Sequence, residues 1–305
     1  MQLYITALQE GFLYGLLALG IFISLRLLNI PDLTTESSFG FGSAVAAVVS
    51  AAGHPLLSIP LAILAGAAAG FVTGMLQTKL RVHPVLAGII TMSGLYSVNL
   101  LVMGNTPNLA MGSGTLFKLL YGFFELSSMQ KKIAGAAASA IFCIIVIAVM
   151  IWFFKTHIGM CIRATGDNPD MVRASSINVD RTKIIGLCIS NALVALSGAL
   201  IAHYSGYSDI HSSNGTLVYG LAAVIIGEAV FGRRSVTTGL ISAVVGSIIY
   251  KVIVTFVVDI NLFGDYSATL MKLMCAVIVA ITLSIPAVKA YIGRSKAKSE
   301  ARRNA

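Results

Sequence analysis

Long apolar stretches occupy most of this chain and constrain its fold more than any other feature. Of the 305 residues, 57% are hydrophobic and only 11% are charged, whereas a soluble domain carries about a quarter charged residues. A helix needs about 20 apolar residues to cross a bilayer. The sequence therefore predicts an all-α polytopic membrane protein with about nine transmembrane helices, within a range of about eight to ten. The predicted spans are residues 5–26, 36–53, 56–78, 84–104, 130–154, 183–205, 214–231, 236–258 and 268–286.

The interval from residue 105 to residue 130 leaves the number of spans open. It contains an apolar patch, residues 116–124, that suits a re-entrant or an interfacial helix. The rest of the chain shows no soluble domain of useful size. We therefore predict one transmembrane domain over residues 1–288, which includes a polar segment at 155–183, and a basic tail at 289–305.

Basic residues are distributed unevenly between the two sides of the predicted bundle. If the tail is cytoplasmic, alternation places sixteen Lys and Arg residues on the cytoplasmic side and three on the other. This bias follows the positive-inside rule, so the net charge of +9 requires no nucleic-acid partner. The N-terminus is then predicted outside and the C-terminus in the cytoplasm.

The polar segment 155–183 contains its own helix start signal. Asn168 can act as N-cap, Pro169 suits the first helical position, and Asp170 complements the helix dipole. Asn178 is a plausible left-handed terminator. A helix of about two turns is unstable alone in water, so we expect a second protein to hold it on the cytoplasmic side. A solvated loop with one helical turn is the alternative.

A second polar stretch, residues 29–42, follows the first predicted span. Pro31 disfavours a continuous helix there, and five hydroxyl or carboxylate groups follow it. Irregular polar backbone at membrane depth occurs only where it packs in protein or lines a wet cavity. We interpret the stretch as a broken helix beside a translocation path, against the alternative of a cytoplasmic turn with its N-cap at Thr34 or Thr35.

Three further polar residues inside predicted spans are candidates for the translocation path. Glu228 is a functional candidate by default, although it can instead pair with Arg233 and Arg234 nearby. For Asn99 and Asn191, hydrogen bonding between helices competes with contact to a solute. The predicted path residues are Thr34, Thr35, Glu36, Ser37, Ser38, Asn99, Asn191 and Glu228.

Enzyme motifs are missing from the sequence. It has no GxxxxGK[ST] phosphate loop, no HExxH and no paired Cys or His set, so we predict neither a catalytic residue nor a metal or other cofactor. Uphill transport would need energy from an ion gradient or from a partner. A gradient-driven secondary transporter and a receptor or scaffold without transport are the competing hypotheses.

Small residues and a weak internal similarity mark how the spans are organised. Gly66, Gly70 and Gly74 recur every four residues, a pattern that favours close helix packing within the subunit over a dimer seam. Ala18 and Gly42 match Ala195 and Gly220 at nearly constant offsets, and these paired spans run in opposite directions. The offsets indicate a possible inverted repeat of the kind used for alternating access.

Three motifs together resemble a known family. NIPDLTTESSFGFGSA, IGMCIRATGDNPDMVRASSINVDRTKIIGLCISNALVALSGAL and GLAAVIIGEAVFG are similar to the permease subunits of branched-chain amino-acid-type ATP-binding-cassette (ABC) importers, and most similar to the tryptophan/tyrosine subgroup. The likeness covers about residues 8–286. It implies a type II-like permease in a bacterial plasma membrane, with cytoplasmic ATPase subunits, an extracytoplasmic binding protein and a second permease copy, here a homodimer.

The resemblance also implies roles for residues of the polar segment. The ATPase-coupling helix of the family would fall on Arg163, Gly166, Asp167, Asn168, Pro169, Met171 and Arg173. The solute is expected to be an aromatic or branched-chain amino acid, with a nucleoside, sugar or vitamin as alternatives. The acidic and hydroxyl-rich run around Glu36 departs from the wider family and leaves the ligand open.

Overall fold

A computed structural model describes residues 2–112, 114–122, 127–232 and 235–259, together with residues 277 and 280. The helices are α1 (Gln2–Phe22), α2 (Thr34–Ala51), α3 (Pro55–Thr78), α4 (Pro84–Val102), α5 (Leu116–Gly122), α6 (Ser128–Lys155), α7 (His157–Asp167), α8 (Pro169–Ala174), α9 (Val179–Ser205), α10 (Thr216–Phe231) and α11 (Val236–Asp259). The described residues also contain two short strands, β1 (Asn108–Ala110) and β2 (Tyr207–Asp209), a π-helical turn (Ile23–Leu27) and a 3₁₀ turn (Ile210–Ser213).

Each of the first eight predicted spans falls on a helix, but only seven of those helices are long and apolar enough to cross a membrane. The exception is α2, because its first turn is rich in Thr, Ser and Glu. The ninth predicted span, residues 268–286, and the basic tail lie outside the described residues. The prediction of about nine spans is therefore not confirmed.

Across the described part of the chain, the fold is helical as predicted except for one small sheet that the sequence did not indicate. β1 and β2 pair antiparallel, with Asn108 opposite Asp209 and Ala110 opposite Tyr207. The apolar patch at 116–124 begins as the short helix α5. The sheet joins the segment after α4 to the segment after α9.

α1 and α9 form the centre of the bundle. The apolar stretch of α1 with its π-turn is 72% buried and that of α9 is 67% buried, against 28% for α4 and 17% for α6. α1 packs against α6, α9, α10 and α11, while α9 also packs against α2 and α3. The outer helices are therefore the ones that expose apolar side chains, as a lipid-facing layer requires.

The four-residue glycine repeat of α3 packs within the subunit, as expected. Added Cβ atoms on Gly66 and Gly70 would overlap the carbonyl oxygens of Asn191 and Leu187 on α9. At Gly74 the neighbour is Ile184, also on α9. Since burial of apolar surface does not drive helices together in lipid, this close backbone approach supplies the packing between α3 and α9.

The chain between α1 and α2 is broken where Pro31 predicts it. α1 ends in the π-turn, Asn29 takes a positive φ of 55°, and regular helix resumes only at Thr34. The alternative N-cap at Thr34 or Thr35 is wrong. The Asp32 carboxylate accepts instead from the Thr34 N–H at 2.9 Å, so this side chain satisfies one of the N–H groups that the start of α2 leaves open.

Candidate functional site

The cap predicted for the polar segment is present at the start of α8. Oδ1 of Asn168 accepts from the main-chain N–H groups of Asp170 and Met171, both at 3.1 Å, and Pro169 is the first helical residue. These bonds satisfy two of the four N–H groups that a helix start leaves open. The six-residue helix therefore has a defined beginning despite its length.

The predicted end of this helix was wrong. Asn178 does not adopt a left-handed conformation; Ser176 does, with a φ of 61°. Asn178 instead caps α9, because its Oδ1 accepts from the Arg181 N–H at 3.1 Å. Both positions suit an asparagine, and the spacing alone could not separate the end of one helix from the start of the next.

α8 presents most of its side chains to the surroundings. Val172 is buried, whereas Met171 is 58% exposed. Asp170 and Arg173 form an exposed ion pair at 2.8 Å. An exposed methionine beside charged groups on a capped helix is a surface suited to contact another protein.

α7 connects this surface to the centre of the bundle. A Cβ added to Gly166 would overlap the carbonyl oxygen of Leu27, so only glycine allows the two backbones to approach so closely. Thr165 and Thr182 share a buried hydrogen bond of 2.8 Å between their hydroxyls, which joins α7 to α9. The α7–α8 unit thus rests directly on the π-turn that ends α1 and on the start of α9.

A charged cleft of about 410 Å³ opens between the π-turn, α7, α10 and the start of α11; we define it by Arg26, Leu27, Arg163, Asp167, Glu228 and Ser235. In it Nη2 of Arg26 donates to Oε2 of Glu228 at 2.7 Å. The predicted partners Arg233 and Arg234 lie outside the described residues. Sequence reasoning missed Arg26 because 202 residues separate it from Glu228.

A buried network lies at the break between α1 and α2. Asn191 of α9 donates to Oδ2 of Asp32 at 2.7 Å and accepts from the Ser38 hydroxyl at 2.7 Å. The hydroxyls of Thr34 and Thr73 share a hydrogen bond of 2.8 Å between α2 and α3. Four predicted path residues, Thr34, Thr35, Ser38 and Asn191, are thus fully buried, and three of them bond across helices in this network.

Asp32 was missed by sequence reasoning, although it is the hub of this network. Its side chain is bonded by Asn191 and Thr34, and its carbonyl accepts from the Thr35 hydroxyl at 3.1 Å. The available signal was its position, a carboxylate directly after Pro31 and two residues before a helix. A buried carboxylate requires such partners, because an unpaired one would be expensive to desolvate.

Three other predicted path residues meet in a second cavity, the polar pocket. It has a volume of about 370 Å³ between α2, α4 and the 3₁₀ turn. The Ser37 hydroxyl donates to the Met92 carbonyl at 3.0 Å, and Met92 lies near the middle of the α4 span. The pocket therefore reaches the middle of a candidate membrane span. Its lining residues are Glu36, Ser37, Met92, Ser93, Tyr96, Asn99, Ile210, Ser213 and Asn214.

The polar pocket is acidic and rich in acceptors. Glu36 is the one formally charged residue among its lining residues, and its Oε1 accepts from the Gly215 N–H at the start of α10. Nδ2 of Asn99 donates to the Ser37 carbonyl at 3.3 Å. Tyr96 was missed as a lining residue because its place in an apolar span gave no signal.

Comparison with known proteins decides the family. Residues 3–283 match the permease component of branched-chain amino acid transport systems. The chain belongs to this family. The match covers almost the whole permease and confirms the resemblance carried by its three motifs.

Curated relatives of this permease differ in what their names say they transport. It is 33% identical to a tyrosine transport system permease protein of Clostridioides difficile, and the aligned region covers 96% of this chain and 95% of that protein. Identity is 28% over 90% of this chain and 83% of the ribose import permease protein RbsC of Escherichia coli K12. The identity to the probable branched-chain amino acid transport permease protein LivH of Methanocaldococcus jannaschii is 23%, over 88% of this chain and 85% of that protein.

Family membership and the seven apolar helices found among the described residues make this permease a multi-pass membrane subunit of an ABC importer. Its role is transport, and the sequence carries no phosphate loop for nucleotide. Because the chain belongs to a family of transport-system permeases, the competing hypotheses of a secondary transporter and of a receptor without transport are set aside.

Proposed function

We propose that this permease forms the translocation path for an amino acid and takes its energy from separate cytoplasmic ATPase subunits that dock on α8. The observation that carries the proposal is the capped, exposed helix α8 with α7 packed against the end of α1. A helix of six residues is stable only when tertiary contacts hold it. α8 is held by the Asn168 cap, by the buried side chain of Val172 and, through α7, by the contact of Gly166 with Leu27. The exposed side chains of Met171 and Arg173 are available to contact a partner.

Movement of α8 would reach the centre of the bundle through two contacts. Gly166 rests on Leu27 of the π-turn, and Arg26 in the same turn is bonded to Glu228 on α10. Closure of the ATPase subunits would then shift α7, the π-turn and α10 together as a rigid body. The predicted inverted repeat is compatible with such alternating access and stays a prediction.

The exposure of Glu36 supports a second permease copy. Its side chain is half-buried beside the polar pocket, and Ser93 and Tyr96 on the neighbouring face of α4 are exposed. A carboxylate facing lipid at this depth is expensive, so such groups face a bundle interior or a wet cavity. In a homodimer the second copy would cover this face and enclose the path.

An extracytoplasmic binding protein would deliver the solute at the β1–β2 end. β1 and β2 pair the segment after α4 with the segment after α9. We expect such a protein to dock on these outer segments, residues 105–130 and 206–213. In this orientation the N-terminus is outside, and α8 lies about 40 Å away at the other end of the 27-residue helix α9.

An amino acid is the favoured solute, because the tyrosine permease is similar over nearly its whole length. A sugar is the second candidate because of the ribose permease. ATP-driven uptake of tyrosine and of ribose into proteoliposomes that contain the permease, its ATPase and its binding protein distinguishes the two.

Docking on α8 is tested by co-purification of the permease with its co-expressed ATPase subunit. We expect Met171→Asp to weaken association with the ATPase and a deletion of residues 167–173 to abolish it, both without loss of membrane insertion. Tyr207→Asp is the matched control, since Tyr207 is 48% exposed at the opposite end of α9. Normal co-purification of the deletion variant would refute docking on α8.

A further inference from the structure

One residue that lines the polar pocket carries an acceptor that no described residue satisfies. Asn99 is 3% exposed and lines the pocket, and its Oδ1 accepts no hydrogen bond from any residue that the structure describes. The bond from its Nδ2 to the Ser37 carbonyl fixes which way the amide faces. A buried carbonyl without a donor is unfavourable, so this position favours a ligand that donates a hydrogen bond.

Glu36 adds a fixed negative charge at the same place. Its carboxylate accepts from the Gly215 N–H, and the N-terminal end of a helix such as the 16-residue α10 stabilises negative charge. Lys, Arg and His are absent from the residues that line the pocket. A ligand group placed between Glu36 and Asn99 is therefore favoured if it is cationic, and disfavoured if it is anionic.

Apolar surface completes the pocket. Met92 and Ile210 line it, and the ring of Tyr96 is 48% exposed. An aromatic face attracts an ammonium group as well as an apolar side chain. A neutral sugar can use the hydrogen-bond acceptors but has no charge to match the carboxylate.

We propose that the polar pocket is a substrate subsite within one subunit and that it binds the ammonium group of an amino acid. Glu36 supplies the charge, Asn99 accepts a hydrogen bond from the ammonium, and Tyr96 contacts the side chain of the substrate. The carboxylate of the substrate faces away from Glu36. This assignment rests on the proposed transport function and adds to it a selection for amines.

The test is equilibrium binding of radiolabelled L-tyrosine to the permease–ATPase complex in lipid nanodiscs, with three competitors. Tyramine retains the ammonium and lacks the carboxylate, 3-(4-hydroxyphenyl)propionate retains the carboxylate and lacks the ammonium, and D-ribose lacks both. We expect tyramine to compete and the other two to fail. Glu36→Gln should weaken tyrosine binding about 10- to 100-fold, because the ammonium group loses its negatively charged partner.

Glu36→Gln keeps an oxygen that can accept from the Gly215 N–H, so it removes charge without removing the link to α10. Asp209→Asn is the matched control, because the Asp209 carboxylate likewise accepts from a loop N–H, that of His211 at 2.9 Å, outside the pocket. Asn99→Leu should also weaken binding, whereas Asp209→Asn should not. A size-exclusion profile matching wild type verifies that each variant is folded.

The subsite is overturned if the propionate or ribose competes as well as tyramine, if Glu36→Gln binds tyrosine normally, or if no saturable tyrosine binding occurs. Uptake in proteoliposomes separates this result from the proposed function. ATP-driven uptake with unchanged selectivity in Glu36→Gln refutes the subsite and leaves transport standing. Amine-selective binding by a complex that shows no ATP-driven uptake refutes the transport role and leaves amine binding at the pocket standing.

Discussion

Nη2 of Arg26 lies 2.7 Å from Oε2 of Glu228, and this ion pair ties the π-turn at the end of α1 to the last turn of α10. The side chains are 27% and 10% exposed, so the pair is largely shielded from water. Breaking a shielded pair leaves one charge uncompensated, which is worse than removing both.

We therefore expect a double-mutant cycle of Arg26→Met and Glu228→Gln to give a coupling free energy of about 1 to 3 kcal/mol. The measurement is the free energy of unfolding by denaturant in mixed micelles. Asp170 and Arg173, which are exposed, provide the control cycle and should show no measurable coupling. Equal coupling in the two cycles would show that the Arg26–Glu228 contact is not maintained in solution.

Gly166→Ala tests the contact between α7 and the π-turn. The added methyl group overlaps the Leu27 carbonyl, so α7 must move away from the end of α1. We expect the midpoint of thermal unfolding to fall by roughly 5 °C. Gly94→Ala on α4 is the control, since a Cβ there meets nothing within 4 Å. If both variants melt like the wild type, the close approach is absent.

Asn168→Ala tests the cap of α8. Loss of the two hydrogen bonds to Asn168 should cost about 1 kcal/mol of local stability and lower the protection of α8 amides from hydrogen exchange roughly five-fold. Asn168→Asp keeps the acceptor and should retain protection. Mass spectrometry of peptides from 165–178 reads the effect, and unchanged exchange in Asn168→Ala would show that the cap does not hold the helix.

Gly70→Leu tests the packing of α3 on α9. Leucine cannot fit against the Leu187 carbonyl, so we expect the free energy of unfolding to fall by about 3 kcal/mol or the yield of folded protein to collapse. Ala68→Leu places the same side chain on an exposed position of the same helix and should be tolerated. A similar loss in both variants would argue against packing as the cause.

Local signals in the sequence were enough to predict the helices and several of their ends. Apolar length located the first eight spans, Pro31 located the break after α1, and Asn168 with Pro169 located α8, because each of these depends on neighbouring residues alone. The end of α8 failed because Asn178 suits two roles equally well.

Contacts between distant residues could not be predicted in the same way. Asp32 with Asn191 and Arg26 with Glu228 join residues more than 150 positions apart, and their pairing depends on which helices are neighbours. The path residues chosen by polarity therefore divide among three places, the buried network, the charged cleft and the polar pocket. Polarity identified residues that need partners, and the fold decided which partners they have.

The β1–β2 pairing is made by main-chain atoms, so it does not depend on which side chains the two strands carry. Exposed residues of the two strands, such as Asn108, Ala110 and Tyr207, can be exchanged without changing this pairing, whereas Ser208 is buried and bonded to Ser43. A binding protein that docks at this end, as we propose, can thus be exchanged for another by changing exposed side chains alone, while the main-chain pairing and the helices stay as they are.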